Sequence, residues 1–178
     1  AGNINVISPT WYYLSNNSGG IHSIASSDYV TYCHNNGVQV WGLVSNLEDS
    51  SVDTATVLNT TSARDNLVNN LIAAAITVGL DGINVDIEEL PGSAANGYIQ
   101  FIRELSIKCE KNDIILTLCT FGFIDEIGLS RHRAHSIPHG VIRKGVRQIA
   151  VRIGRAVLMQ PPGPRVELID IYGAVVYG

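Results

Sequence analysis

Cysteine is scarce in this chain: Cys33, Cys109 and Cys119 are scattered along 178 residues, a number and spacing that exclude both a disulfide framework and a CxxC zinc site. They read as buried thiols. Long apolar runs are missing too, and no span reaches the roughly 18 residues that a membrane helix needs. No GxGxxG or GxxxxGKS/T loop is present, which removes the usual support for a nucleotide-binding open sheet. No signal-peptide pattern precedes the first strand. No internal repeat recurs, and no run of Pro, Ser or Gln dominates, so solenoid and disordered classes fall away for most of the chain.

What remains is the composition of a globular protein. With 46% hydrophobic residues, the chain can bury one substantial core and is short for two ordinary domains. Its net charge of -4 is unevenly spread. Residues 1–130 hold 4 Lys/Arg against 14 Asp/Glu, whereas residues 131–178 hold 8 against 2. The Arg run from Arg131 to Arg155 could contact phosphates, but it lacks interleaved aromatics and any recognisable module, so no nucleic-acid partner is expected.

The apolar pattern alternates between strand and helix. A strand beginning at Ile4 breaks at Pro9, and a loop carrying Trp11, Tyr12 and Tyr13 is expected to follow. Asn16 to Gly20 is turn chemistry. Ser27 to Asn36 reads as a short helix with Ser26 or Ser27 as its N-cap, and Val38 to Val44 as the next strand. A polar loop leads to a helix opening at Ser62, with Leu67, Leu71, Ile72, Ala75 and Ile76 as its core stripe and Gly79 as its stop. Then come a strand over Ile83–Ile87, a helix over Ala94–Glu110 with Tyr98, Phe101, Ile102, Leu105 and Ile107 as its apolar positions, and a strand over Ile114–Leu118. Such alternation predicts parallel crossover units, an α/β domain of which a barrel is the favoured form.

Chemistry concentrates in Asp81-Gly82-Ile83-Asn84-Val85-Asp86-Ile87-Glu88. Side chains alternate along a strand, so Asn84, Asp86 and Glu88 should share one face and Ile83, Val85 and Ile87 the other. A polar row inside a barrel, ending at the C-terminal edge of a strand, is where barrel enzymes do their chemistry. Two carboxylates about 7 Å apart along such a strand cannot both ionise cheaply, so one should hold its proton to higher pH. Glu88, nearest the mouth, is the natural acid. Both carboxylates approach a sugar from one side, which makes the usual arrangement of acid and opposed nucleophile awkward. A substrate with a 2-acetamido group removes the difficulty: its carbonyl oxygen can attack the anomeric carbon while Asp86 orients the amide N–H. Glu88 then protonates the leaving oxygen and later acts as base toward water.

The stretch DGINVDIE resembles the DGxDxDxE signature of family-18 glycoside hydrolases, the chitinase and N-acetylglucosaminidase class. In that pattern the final Glu is the acid and the preceding Asp assists the acetamido group, which by position are Glu88 and Asp86, with Asp81 and Asn84 in support. The phrases SPTW, VQVWGLV and YIQFIRELS are similar to the branch found in bacterial spore-cortex and cell-wall hydrolases. The resemblance implies an incomplete (β/α)8 barrel of the TIM type over residues 1–120, about half the strands of a whole one. It implies no cofactor, a polysaccharide substrate containing β-1,4-linked N-acetylglucosamine (chitin or peptidoglycan), no nucleic-acid or membrane partner, and a secreted, cell-envelope or spore-associated location.

Departures from the family pattern are Asn84, where many members carry Asp, and the absence of both the Met-x-Tyr-Asp motif and a late Trp. The segment 121–178 stands outside the resemblance altogether. Its abrupt turn to Arg and its lost periodicity are what a changed reading frame or a mistaken gene boundary would produce.

Trp11, Tyr12 and Trp41 are candidate stacking platforms for sugar rings, although aromatics near strand ends more often belong to the core. His132, His135 and His139 lack the spacing of a metal motif and flank a proline. Two rival functions follow: a lectin-like relative that keeps the groove without turnover, and a metal-dependent hydrolase using Asp81, Asp86 and Glu88 with a His from the tail.

Overall fold

The structure is a computed structural model that describes residues 4–119, 166–169 and 175–176. Its first strand, β1 (Val6–Ile7), is interrupted at Pro9 and resumes as β2 (Thr10–Leu14), which forms a hairpin with β3 (Ile21–Ser23). Helix α1 (Ser27–Asn35) leads to β4 (Gln39–Ser45), and the chain continues through α2 (Thr54–Asn59), α3 (Thr61–Val78) and β5 (Gly82–Asp86). A 3-10 turn (Gly92–Ala94) precedes α4 (Ala95–Lys111), and β6 (Ile115–Cys119) follows. The later strands β7 (Val166–Ile169) and β8 (Val175–Val176) extend the sheet.

The sheet runs β3-β2-β4-β5-β6-β7-β8, with β1 also paired to β4. The pairs β2/β4, β4/β5, β5/β6 and β6/β7 are parallel, and the hairpins β2/β3 and β7/β8 are antiparallel. Among the described residues the sheet is open, ending at β3 and β8. Parallel strands joined by helical crossovers make this the α/β architecture of a partial barrel.

The local chemistry of each element explains its limits. Ser26 caps α1 by accepting from the Tyr29 N–H at 3.2 Å, and Gly79 closes α3 in the left-handed region at φ 76°. Helix α2 lies within the segment expected to be a polar loop. It exists because Asp53 accepts from the backbone N–H groups of Ala55 and Thr56 while Val57 and Leu58 are buried.

The core lies between the sheet and its helices. Ile83, Val85 and Ile87 pack there with Val40, Val44, Leu116 and Leu118 against Leu67, Leu71, Phe101 and Leu105. Ile76, expected in the α3 stripe, is instead 56% exposed. It stands nine positions beyond Leu67, half a turn round the helix at 3.6 residues per turn. Ile107 is likewise exposed.

Helices α3 and α4 are tied by a half-buried pair: Arg64 Nε and Nη2 donate to the Glu104 carboxylate at 2.9 and 3.2 Å, and Arg64 Nη1 donates to the Leu58 carbonyl at 2.9 Å.

Candidate active site

The parallel register builds the site in layers on the sheet face turned away from the helices. Trp41, Gly82 and Ile115 form the lowest layer, Leu43, Asn84 and Thr117 the next, and Ser45 and Asp86 the one at the C-terminal strand ends. Cys119, two residues beyond Thr117 on the same face, sits beside Asp86. None of these side chains belongs to the apolar core cluster on the opposite face. The expected alternation of Asn84 and Asp86 against Ile83 and Val85 is therefore present.

Each polar member of the row is engaged. Asn84 is buried, its Nδ2 donating to Ser8 Oγ at 3.0 Å and its Oδ1 accepting a long bond from Cys119 Sγ at 3.5 Å. Ser45 Oγ donates to Glu48 Oε1 at 2.5 Å. Burial is the main reason that the Asp86 carboxyl is held above the ordinary carboxylate range; a share in the single Cys119 thiol proton, which also faces Asn84 Oδ1, opposes that shift and the Glu48 charge adds to it. Glu88 is raised as well, by burial first, then by the charges of Asp86 and Glu89. Burial, followed by the Asp86 charge, pushes the Cys119 thiol up to about 11. That thiol is consequently a hydrogen-bond donor at neutral pH and not a nucleophile.

Glu88 lies two residues past the end of β5, half-buried. Its backbone is gripped by Asn46, whose Oδ1 accepts from the Glu88 N–H at 2.8 Å and whose Nδ2 donates to the Glu88 carbonyl at 3.0 Å. Glu89 follows at φ 52°, a left-handed conformation uncommon for a residue with a side chain and a mark of a constrained site.

The remaining expected site residues are not brought to this place. Asp81 is at the other end of β5, where its Oδ2 accepts from the Val40 N–H at 2.7 Å and meets His34 Nε2 at 2.8 Å. At about 3.3 Å per residue it stands roughly 16 Å along the strand from Asp86. It anchors β4 and α1 to the bottom of the sheet, and this separation removes the metal-ligand set Asp81, Asp86 and Glu88. His132, His135 and His139 lie outside the described residues.

The aromatic platforms do not stand in the layer of Asp86. Trp41 is 8% exposed in the lowest layer, with Nε1 donating to Gln39 Oε1 at 3.2 Å. Trp11 is packed edge-on against Tyr29 of α1, ring centroids 5.7 Å apart. Tyr12 is 1% exposed in the helix-side core, and burial pushes its hydroxyl up to about 12; among the described residues that hydroxyl has no hydrogen-bond partner.

The aromatic that does reach the upper layer is Tyr13, paired in register with Ser45 and stacked on His22 at 4.7 Å. Sequence reasoning also missed Asn46, Ser45, Glu48 and Cys119. A cleft of about 350 Å3, lined in part by Asn46, Asp49, Asp53, Thr54, Glu89 and Pro91, opens beside the acid pair and not over it.

With an acid pair raised at the C-terminal edge of a parallel sheet, the chain matches the family model of glycosyl hydrolase family 85 over residues 9–118. This chain belongs to glycosyl hydrolase family 85. The resemblance drawn from DGINVDIE is thus met as a barrel glycosidase, while the family that matches is 85 where the motif suggested 18.

Solved structures similar to this family-85 chain include a protein designated a sporulation-specific glycosylase from Bacillus subtilis. It is 24% identical with a TM-score of 0.59, and the match covers 66% of this chain and 40% of that one. A chitinase from Chromobacterium violaceum is 23% identical, with a TM-score of 0.55 and coverage of 64% and 37%. A chitinase catalytic domain from Ostrinia furnacalis, solved with penta-N-acetylchitooctaose, is 20% identical, with a TM-score of 0.57 and coverage of 65% and 35%. At these identities the likeness establishes the TIM-barrel fold, and the chain spans two fifths or less of each structure. Comparison with curated protein sequences gave no match.

Proposed function

We propose that this chain carries the catalytic strand of a glycoside hydrolase that cleaves β-1,4-linked N-acetylglucosamine polymers by substrate-assisted retention, in the manner associated with the family-18 motif. The observation that carries the reading is the pair Asp86 and Glu88, adjacent at the strand end and both raised, with Glu88 raised further by the charge of Asp86. A carboxyl group that keeps its proton above the ordinary range is what a general acid requires.

In the first step the substrate's acetamido oxygen bonds to the anomeric carbon as the glycosidic bond breaks, and the Glu88 proton passes to the leaving oxygen. Asp86 accepts the amide N–H and stabilises the positive ring. Water then attacks the same carbon, gives its proton to the Glu88 carboxylate, and reopens the ring with net retention. Asn84 cannot share a proton with Asp86; its amide is occupied by Ser8 and Cys119, so it holds the row in place. The family resemblance extends the proposal to a secreted, envelope- or spore-associated setting.

The test is turnover of a fluorogenic N-acetylglucosamine oligomer by the chain and by Glu88→Gln. The expected outcome is a loss in Glu88→Gln of at least roughly 100-fold, the scale of general acid catalysis. Equal rates in the two proteins would end the proposal, and binding without turnover would identify a sugar-binding relative instead.

A further inference from the structure

We propose that Asn46 is the positioning residue of the acid: its buried side-chain amide, acting where the β5 ladder has already ended, fixes where Glu88 stands. The inference rests on the reading of Glu88 as proton donor and adds to it a residue on the neighbouring strand end that acts only through Glu88.

Strands β4 and β5 are paired only as far as Ser45 and Asp86. Alternation of side chains belongs to paired, pleated backbone, so nothing in β5 itself obliges Glu88 to stay on the face of Asp86. Asn46, the first residue after β4, supplies that constraint with its side chain. Its Oδ1 takes the Glu88 N–H at 2.8 Å, and its Nδ2 reaches the Glu88 carbonyl at 3.0 Å and Thr54 Oγ1 at 3.1 Å. The carboxamide stands in for the peptide group of an absent strand neighbour.

Only one orientation of the amide satisfies these partners, because the Glu88 N–H can only donate and its carbonyl can only accept. Asn46 is itself 8% exposed, so neither bond competes freely with water. Thr54, buried at the start of α2, holds the amide from behind. On the other side of Glu88 the chain turns at once through Glu89 at φ 52°. The acid is thereby fixed between a borrowed ladder bond and a tight turn. No other side chain of this length offers one acceptor and two donors on a single planar group: Asp has no donor, and Gln adds a methylene.

The test uses the full chain with Asn46→Ala and Thr54→Val, the latter removing the rear hydroxyl at almost unchanged volume. Two readouts are taken: kcat and KM on the fluorogenic oligomer across pH, and a 13C-carboxyl NMR titration of Glu88 assigned through Glu88→Gln. In Asn46→Ala, kcat should fall roughly 10- to 100-fold, the cost of misplacing a reacting group by about 1 Å, with KM changed by less than about twofold. The basic limb of the pH profile and the Glu88 titration should both move to lower pH as the acid swings toward water. Thr54→Val should shift both in the same direction by less, and it carries the test should Asn46→Ala not fold. A role in folding alone would lower the melting temperature and leave the titration and the per-molecule kcat in place; that result overturns the proposal. If the wild-type chain shows no turnover while the Glu88 titration still follows Asn46, the positioning role stands and the proposed function is what fails.

Discussion

At the residue scale, the informative contact is the one between Cys119 and Asp86. The thiol bond is what opposes the upward shift of the Asp86 carboxyl that burial and Glu48 impose. Asp86 must be ionised to accept an amide N–H, so its own titration should set the acidic limb of the pH profile. Cys119→Ala removes the opposing bond; Asp86 then titrates higher, and the acidic limb of kcat/KM should move to higher pH with the optimum narrowed from below. Asp86→Asn has the opposite reach: without the Asp86 charge, Glu88 titrates lower, and the basic limb should move to lower pH in whatever activity remains. A pH–rate series on the two variants checks both directions, and a Cys119→Ala profile superimposable on the wild type would count against the assigned contact.

The shared face of Asn84 and Asp86 was legible at this scale because period-2 alternation requires only that the strand be regular, which Gly82–Asp86 is; Glu88 lies beyond that regular stretch. The aromatics were not legible. Pro9 interrupts the first strand, and the register with β4 shifts between Thr10 and Tyr12. One extra residue reverses the parity of everything after it. The shift therefore sends Tyr12 to the helix side and Tyr13 to the site face, and no composition signal announces it. Asn46 was invisible for a related reason: its role depends on a hydrogen bond 42 positions away.

At the scale of elements, helix periodicity located α3 and α4 to within a residue or two. It misjudged their flanks, as exposed Ile76 and Ile107 demonstrate. It also gave no hint of the Arg64–Glu104 tie, in which a cation stands at a buried position of α3. Burial works against the Glu104 charge, but the bonds from Arg64 and Gln100 and the Arg64 charge together hold its carboxyl below the ordinary range. Removing one partner weakens the hold on the other: Arg64→Ala should cost roughly 1–3 kcal/mol, short of the fully buried case because Glu104 is partly exposed and keeps its bond from Gln100, with Leu58 also losing a donor to its carbonyl. Replacing both residues by apolar side chains of similar size, Arg64→Met with Glu104→Met, should recover most of the loss, because the desolvation of both charges disappears along with their attraction. Chemical denaturation of the single and double variants measures the difference. A double variant no more stable than Arg64→Ala would place the loss in the Leu58 bond instead.

At the scale of the whole molecule, the alternation of α1, β4, α3, β5, α4 and β6 was readable from the sequence because each crossover is local, whereas β2, β3 and α2 fell in segments that read as loops. The site's cost to the fold is not local and shows only when the acids are taken together. A carboxyl group whose folded pKa lies above its unfolded value gains a proton on folding between the two. Its stabilising contribution is complete below the unfolded pKa and is lost as pH rises through the folded one. Asp86 and Glu88 are of this kind, so once the pH has risen past their folded pKa values they are ionised against their surroundings and weaken the fold they sit in, as functional sites commonly do. Glu104 has the opposite sign: its contribution is present above the ordinary carboxylate pKa and fades as pH falls through its lowered value. Glu88→Gln should therefore gain on the wild type as pH rises through the folded pKa of Glu88, by roughly 2–4 °C for each kcal/mol relieved in a chain of this size. The two proteins should converge below the ordinary carboxylate range, where Glu88 is protonated both folded and unfolded. Thermal midpoints across a pH series decide the matter. A Glu88→Gln chain whose advantage over the wild type does not grow with pH would show that Glu88 is solvated in the folded chain and not held as an acid.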